Sequence, residues 1–144
     1  MWPWQNLFGR FDTRYSTPRT PYMISQPYGD VEYDLFYFES LSDGACNDKY
    51  KISYKYFKRS KKTVIFLHGL LSDKKGSKSQ YLANFCRKKN YSFLCFDFRG
   101  HGMSSGNFTD YGVGDWYEDL CNVIRSLKIN NIVLIGSSMG GWVA

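Results

Sequence analysis

Alternation of apolar and polar side chains sets in at Val31. The stretches Val31–Phe38 and Tyr50–Tyr56 each repeat with a period of two, which predicts an antiparallel strand pair with one solvated face, linked through Asp43-Gly44. Three later runs, Thr63–Leu67, Ser92–Asp97 and Asn131–Gly136, are short and continuously apolar instead. That is the pattern of parallel strands buried on both faces. Between them the spacing becomes helical. Tyr81, Leu82, Phe85 and Cys86 mark one apolar helix face, with Gly76-Ser77 as its start and Asn90 as its stop. Trp116, Leu120, Val123, Ile124 and Leu127 recur at i, i+4, i+7, i+8 and i+11 and mark a second. Asp115, Glu118 and Asp119 load the start of that helix, and Arg125 and Lys128 its end, in keeping with the helix dipole. The order β-β, then β-α-β-α-β, predicts an α/β fold in which an antiparallel pair precedes a parallel sheet wound by helices.

Residues 1–29 depart from this pattern and are expected to form an irregular N-terminal extension, leaving residues 30–144 as the folded domain. All four prolines lie in the extension. They would interrupt the amphipathic helix of an organelle transit peptide, although Arg10, Arg14 and Arg19 face only one acid, Asp12. A surface arm with Trp2, Trp4, Phe8 and Phe11 tucked onto the body is the expectation. Composition fits one domain, since 144 residues with 43% apolar content can fill a core. No run reaches the ~18 apolar residues of a membrane span. The four cysteines form no Cys-x-x-Cys pair, and with two histidines they make no metal set. Cys86, Cys95 and Cys121 fall on apolar positions, so buried free thiols in a reducing, cytoplasmic setting are expected. The formal charge of +6 is spread over loops and helix ends; Lys55, Lys58, Arg59, Lys61 and Lys62 bracket a turn without forming a basic stripe. Nucleic acid is therefore not an expected partner.

The chemistry is concentrated in Gly136-Ser137-Ser138-Met139-Gly140. A serine hydroxyl becomes a useful nucleophile only when exposed and near a base. Gly-x-Ser-x-Gly meets the first need by setting the serine on a sharp strand-to-helix turn, where the glycines let backbones pass closely. Here an apolar strand leads in and Gly140-Gly141-Trp142-Val143-Ala144 leads out as a helix. Ser138 is the candidate nucleophile; Ser137, one position early, is expected to make a local hydrogen bond. Acyl chemistry also needs two donors for the oxyanion, each worth roughly 3 kcal/mol. The backbone N–H of Met139 is one candidate, and the N–H of Leu70, in the loop His68-Gly69-Leu70, is the other. His68 is read as a loop-shaping residue with a hydrogen-bonded ring. A glycine-rich turn capped by a serine is the plain alternative for the whole motif.

Three motifs in order, His68-Gly69-Leu70, Asp97-Phe98-Arg99-Gly100-His101-Gly102-Met103-Ser104 and Gly136–Gly141, resemble the α/β-hydrolase superfamily. Ser72-Asp73-x-x-Gly76-x-Lys78, Gly106-x-Phe108 and Asp115-Trp116 narrow the resemblance to a branch of bacterial and mitochondrial abhydrolases that includes an acyl-protein thioesterase. The resemblance spans residues 60–144 and implies a serine esterase or thioesterase acting on a small-molecule or acyl-protein substrate, with no metal or organic cofactor. Asp97 and His101, four apart, look like a catalytic pair; in the family pattern they shape a turn beside the site.

The superfamily orders its triad as serine, acid, histidine. Six residues follow Ser138, and none is Asp, Glu or His. The sequence thus reads as the nucleophile-bearing part of a hydrolase, with a truncated domain over 30–144, an exposed apolar strand edge, and either aggregation or association with a separate C-terminal fragment expected. The competing expectation is an inactive product of a split or degraded gene, or a non-catalytic binding remnant.

Overall fold

The computed structural model describes residues 36–39 and 49–144, with residues 36–39 and Lys49 as backbone only. The N-terminal extension, Cys46 and the Asp43-Gly44 link lie outside the described residues. The elements are β1 (Phe36–Glu39), β2 (Lys49–Ile52), β3 (Tyr54–Phe57), β4 (Lys62–Leu67), α1 (Ser77–Lys88), β5 (Ser92–Phe96), a 3-10 turn (Phe108–Asp110), α2 (Val113–Leu127), β6 (Asn131–Gly136) and α3 (Met139–Val143).

Two sheets form. β1 and β2 pair antiparallel, with Phe36 opposite Ile52 and Glu39 opposite Lys49. The larger sheet has the order β3-β5-β4-β6, in which β4 runs parallel to both β5 and β6 and β3 is antiparallel to β5. The expected α/β architecture is therefore present. One element differs: the alternating run Tyr50–Tyr56 is not a single strand. It breaks at the buried Ser53, where the chain leaves β1 and joins β5. Ser53 is held at that crossing by three partners. Its N–H donates to Ser104 Oγ at 2.9 Å, its carbonyl accepts Asp97 N–H at 2.8 Å, and Lys74 Nζ donates to its hydroxyl at 2.6 Å. A period of two continues unchanged through such a crossing, so the pattern does not mark it.

The continuous apolar runs follow from helices on both faces. Along β4 and β5, Ile65, Leu67, Leu94 and Phe96 point to the core shared with Trp116, Leu120 and Val123 of α2 and Met139 and Val143 of α3. The intervening Val64, Phe66, Phe93 and Cys95 point to Ala83 and Cys86 of α1. Full burial of Phe93 and Leu94 on opposite faces contributes about 1.5–3 kcal/mol each.

β6 corrects the expectation of burial on both faces. Ile132 and Leu134 pack on the α2–α3 side, but Val133 is 40% and Ile135 36% exposed, because α1 covers only β4 and β5. It is an outer strand of the described sheet with an apolar, open face. Helix α1 is also turned from its predicted face. Ser79, Ala83 and Cys86 are buried, whereas Tyr81 is 73% and Phe85 43% exposed. Helix α2 starts earlier than its acids suggested. Asp115 sits in its first turn and accepts the Gly112 N–H at 2.8 Å, while Asp119 lies a turn further on, fully buried.

Candidate active site

Strand β6 ends at Gly136, and α3 begins at Met139, so two residues make the whole reversal. Ser138 takes φ 54° and ψ −120°, a conformation disfavoured for any residue with a Cβ and carrying about 1–3 kcal/mol of strain. Close packing holds it there. A Cβ at Gly136 would collide with the Gly140 carbonyl, and one at Gly140 with the carbonyls of Leu67 and His68. Ser137 N–H donates to Leu67 O at 3.0 Å, extending the β4–β6 ladder to the edge of the turn. The Ser137 hydroxyl does not bond locally as expected; it accepts Lys78 Nζ at 2.8 Å, tying the start of α1 to the turn.

The loop after β4 approaches this turn from the side. A Cβ on Gly69 would stand 3.3 Å from Ser137 O and 3.4 Å from Ser138 Cβ, so glycine permits the two loops to touch. Leu70, Ser138 and Met139 then line one cleft of about 570 Å³, walled by Phe108, Tyr111, Trp116 and Trp142. Met139 opens α3, and the first N–H groups of a helix have no acceptor within it. The structure thus brings all three sequence-predicted site residues to one cavity. Its aromatic wall has no signal of its own in the sequence, where Phe108 reads as part of a loop motif, Trp116 as a helix-face residue and Trp142 as part of the helix after the turn.

The suspected catalytic pair is buried scaffold and does not line the cleft. Asp97 is 1% exposed and spans two loops: Oδ1 accepts Lys74 N–H at 2.6 Å, and Oδ2 accepts Lys74 Nζ at 3.1 Å and Met103 N–H at 3.0 Å. His101 is buried, with Nδ1 3.1 Å from Arg99 O, Nε2 without a hydrogen-bond partner, and its ring edge-on to Trp116. His68 is buried too, with both ring nitrogens hydrogen-bonded to backbone. Burial lowers its pKa, outweighing the opposing pull of the Gly69 carbonyl. Neither of the two histidines of the chain bonds Ser138.

Arg99 anchors the loop between β5 and α2. Its Nε donates to Asp119 Oδ1 at 2.7 Å, its backbone N–H to Oδ2 at 2.9 Å, and its Nη2 to Glu118 at 2.6 Å and the Asp115 carbonyl at 2.8 Å. The guanidinium stacks 4.1 Å from the Tyr50 ring centroid. Burial pushes the Asp119 carboxyl up to about 7 against the pull of Arg99. Burial also opposes the Arg99 charge, yet Asp119 and Glu118 raise its pKa above the usual value. The two shifts point opposite ways for pairing; with two N–H donors aimed at its oxygens, the carboxyl is placed as an acceptor-only carboxylate. The signal for this bond was present, because Asp119 falls at i+3 from Trp116 on the apolar stripe of α2.

Of the three described cysteines, Cys86 and Cys95 are buried free thiols and Cys121 is half-buried. Burial pushes Cys95 up to about 11. No helix among the described residues is long and apolar enough to cross a membrane.

Comparison with known proteins agrees with this arrangement. Over 92 residues the chain is 34% identical to the mitochondrial palmitoyl-protein thioesterase ABHD10 of Rattus norvegicus, a match covering 64% of this chain and 31% of the relative. The mouse α/β hydrolase domain-containing protein 10 superposes with TM-score 0.65 at 29% identity, covering 77% of this chain and 42% of that one. An esterase of Pyrococcus furiosus superposes with TM-score 0.59 at 33% identity, covering 78% and 46%. The chain thus spans about a third of the length of the curated relatives it matches. The model of the α/β hydrolase family matches residues 64–144, more than half of the chain, and the chain belongs to that family.

Proposed function

We propose that this chain is the nucleophile-bearing part of a serine hydrolase of carboxylic esters or thioesters, with Ser138 as nucleophile and the backbone N–H groups of Leu70 and Met139 as oxyanion donors. The observation that carries the reading is the strained turn at Ser138, which opens on the same cleft as Leu70 and Met139. Attack of Oγ on the acyl carbon, with its proton passed to a general base, gives a tetrahedral oxyanion. Its collapse, with that proton given to the leaving group, expels the alcohol or thiol and leaves acyl-Ser138, which water hydrolyses. The thioesterase and esterase names of the relatives support this class, and the aromatic wall of the cleft suits the acyl part of a small-molecule or acyl-protein substrate. No metal or organic cofactor is required by this chemistry. We assign the hydrolase domain to residues 30–144. The buried free thiols Cys86 and Cys95 support a reducing compartment, read from the sequence as the cytoplasm, while the rat relative carries a mitochondrial name.

One observation favours a second reading. Neither His68 nor His101 bonds Ser138, and the base is read as coming from elsewhere, a separate C-terminal fragment for example. Without one, the chain is an inactive fragment or a binding remnant. Hydrolysis separates the two. Release of thiol from acyl-thioesters or of nitrophenol from esters, lost in Ser138→Ala, supports the hydrolase; release that survives the substitution rules Ser138 out, and no release by folded protein favours the remnant.

A further inference from the structure

Two opposed hydrogen bonds fix the His68 ring. The side chain is 1% exposed, and the Phe98 backbone N–H donates to Nε2 across 3.2 Å. Nε2 therefore presents its lone pair, and the single proton of the neutral ring sits on Nδ1. Nδ1 stands 2.8 Å from the Gly69 carbonyl oxygen and donates to it. The rings of Phe98 at 4.9 Å and His101 at 5.1 Å confine the imidazole plane.

The Gly69 carbonyl and the Leu70 N–H belong to one planar, trans peptide unit and point in opposite directions. Whatever holds the carbonyl also aims the N–H. We propose that His68 is a positioning residue: its Nδ1–H bond to the Gly69 carbonyl sets the plane of the Gly69–Leu70 peptide and directs the Leu70 N–H into the cleft at Ser138. This rests on the reading of Leu70 as an oxyanion donor. The Ser72 N–H also donates to the Gly69 oxygen at 3.2 Å, so that carbonyl accepts two hydrogen bonds. Hydrogen bonds on a carbonyl polarise its peptide and strengthen the N–H as a donor. Gly69 packs against Ser138 Cβ, so a rotated peptide would move the donor relative to the nucleophile. His68 thus acts on the site through a carbonyl and touches neither Ser138 nor substrate.

The test is nitrogen and carbon NMR on the whole chain. Its two histidines give two imidazole patterns, and His101→Asn identifies that of His68. The expected pattern is a protonated Nδ1 and a bare Nε2; a proton on Nε2 overturns the proposal, and this reading of the native protein needs no variant to fold. In His68→Leu the Gly69 carbonyl carbon and the Leu70 amide nitrogen are expected to shift together, and in His68→Asn, whose amide reaches the same carbonyl, to return toward native values. Unmoved resonances in a folded His68→Leu overturn it. Fluorophosphonate modification of Ser138 is expected to slow about 100-fold in His68→Leu, the scale of a lost oxyanion donor, and to recover most of that in His68→Asn. If native Ser138 resists the reagent, the hydrolase reading fails for the chain alone, while the resonances still decide what His68 does.

Discussion

Arg99 Nε lies 2.7 Å from Asp119 Oδ1, in a site where the Asp119 side chain has no exposure and Arg99 has 3%. Removing Asp119 leaves the buried Arg99 guanidinium with only the partly exposed Glu118 to balance it. Asp119→Ala is expected to cost about 3–5 kcal/mol, whereas Glu118→Gln, at the 29%-exposed end of the same guanidinium, costs under about 1 kcal/mol. Urea unfolding of the two variants checks the contrast. Equal small losses would mean that the inner bond contributes little.

The glycines of the turn differ sharply from those of α2. Gly140→Ala places a methyl group against the carbonyls of Leu67 and His68 and is expected to cost about 3 kcal/mol or more, the upper range of overpacking. At Gly114, in the first turn of α2, a Cβ meets nothing within 4 Å. Gly114→Ala is expected to stabilise by about 0.5–1 kcal/mol through lower chain entropy and better helix propensity. Thermal midpoints moving the same way in both variants would contradict the packing described.

Burial lowers the pKa of His68 from 6.5. Between the folded value and 6.5, the unfolded chain binds more protons than the folded one, so stability from this group falls as pH drops through that window and is constant above it. The urea midpoint is expected to decline on acidification below 6.5, with a shallower decline in His68→Asn. Identical pH profiles would remove His68 as the source.

Val133 and Ile135 form an open apolar stripe on the outer strand β6. Joint replacement by threonine keeps β propensity and is expected to reduce concentration-dependent light scattering while changing stability by less than about 0.5 kcal/mol. Unchanged scattering would locate self-association elsewhere.

Strands β4, β5 and β6 and both long helices were legible in the sequence because burial on a sheet or helix imposes a period, and the turn at Ser138 because its backbone demands glycines at set positions. What stayed hidden depends on distant partners. Ser53 looks like any polar position of an alternating strand until Ser104, Asp97 and Lys74 close on it. Tyr81 and Phe85 are apolar and helically spaced, yet what covers a helix face is decided by the sheet beneath. Lys78 reaches a serine 59 residues away, which no local pattern encodes. The Asp119 bond to Arg99 was half visible, as an acid on an apolar stripe without a named partner.

The central claim is that the turn makes Ser138, and not its neighbour Ser137, the reactive serine. Peptide mapping after treatment with a fluorophosphonate tests it most directly, using native chain, Ser138→Ala and Ser137→Ala. Any adduct is expected on Ser138 alone, absent from the first variant and retained in the second. An adduct on Ser137, or labelling that persists in Ser138→Ala, would contradict it.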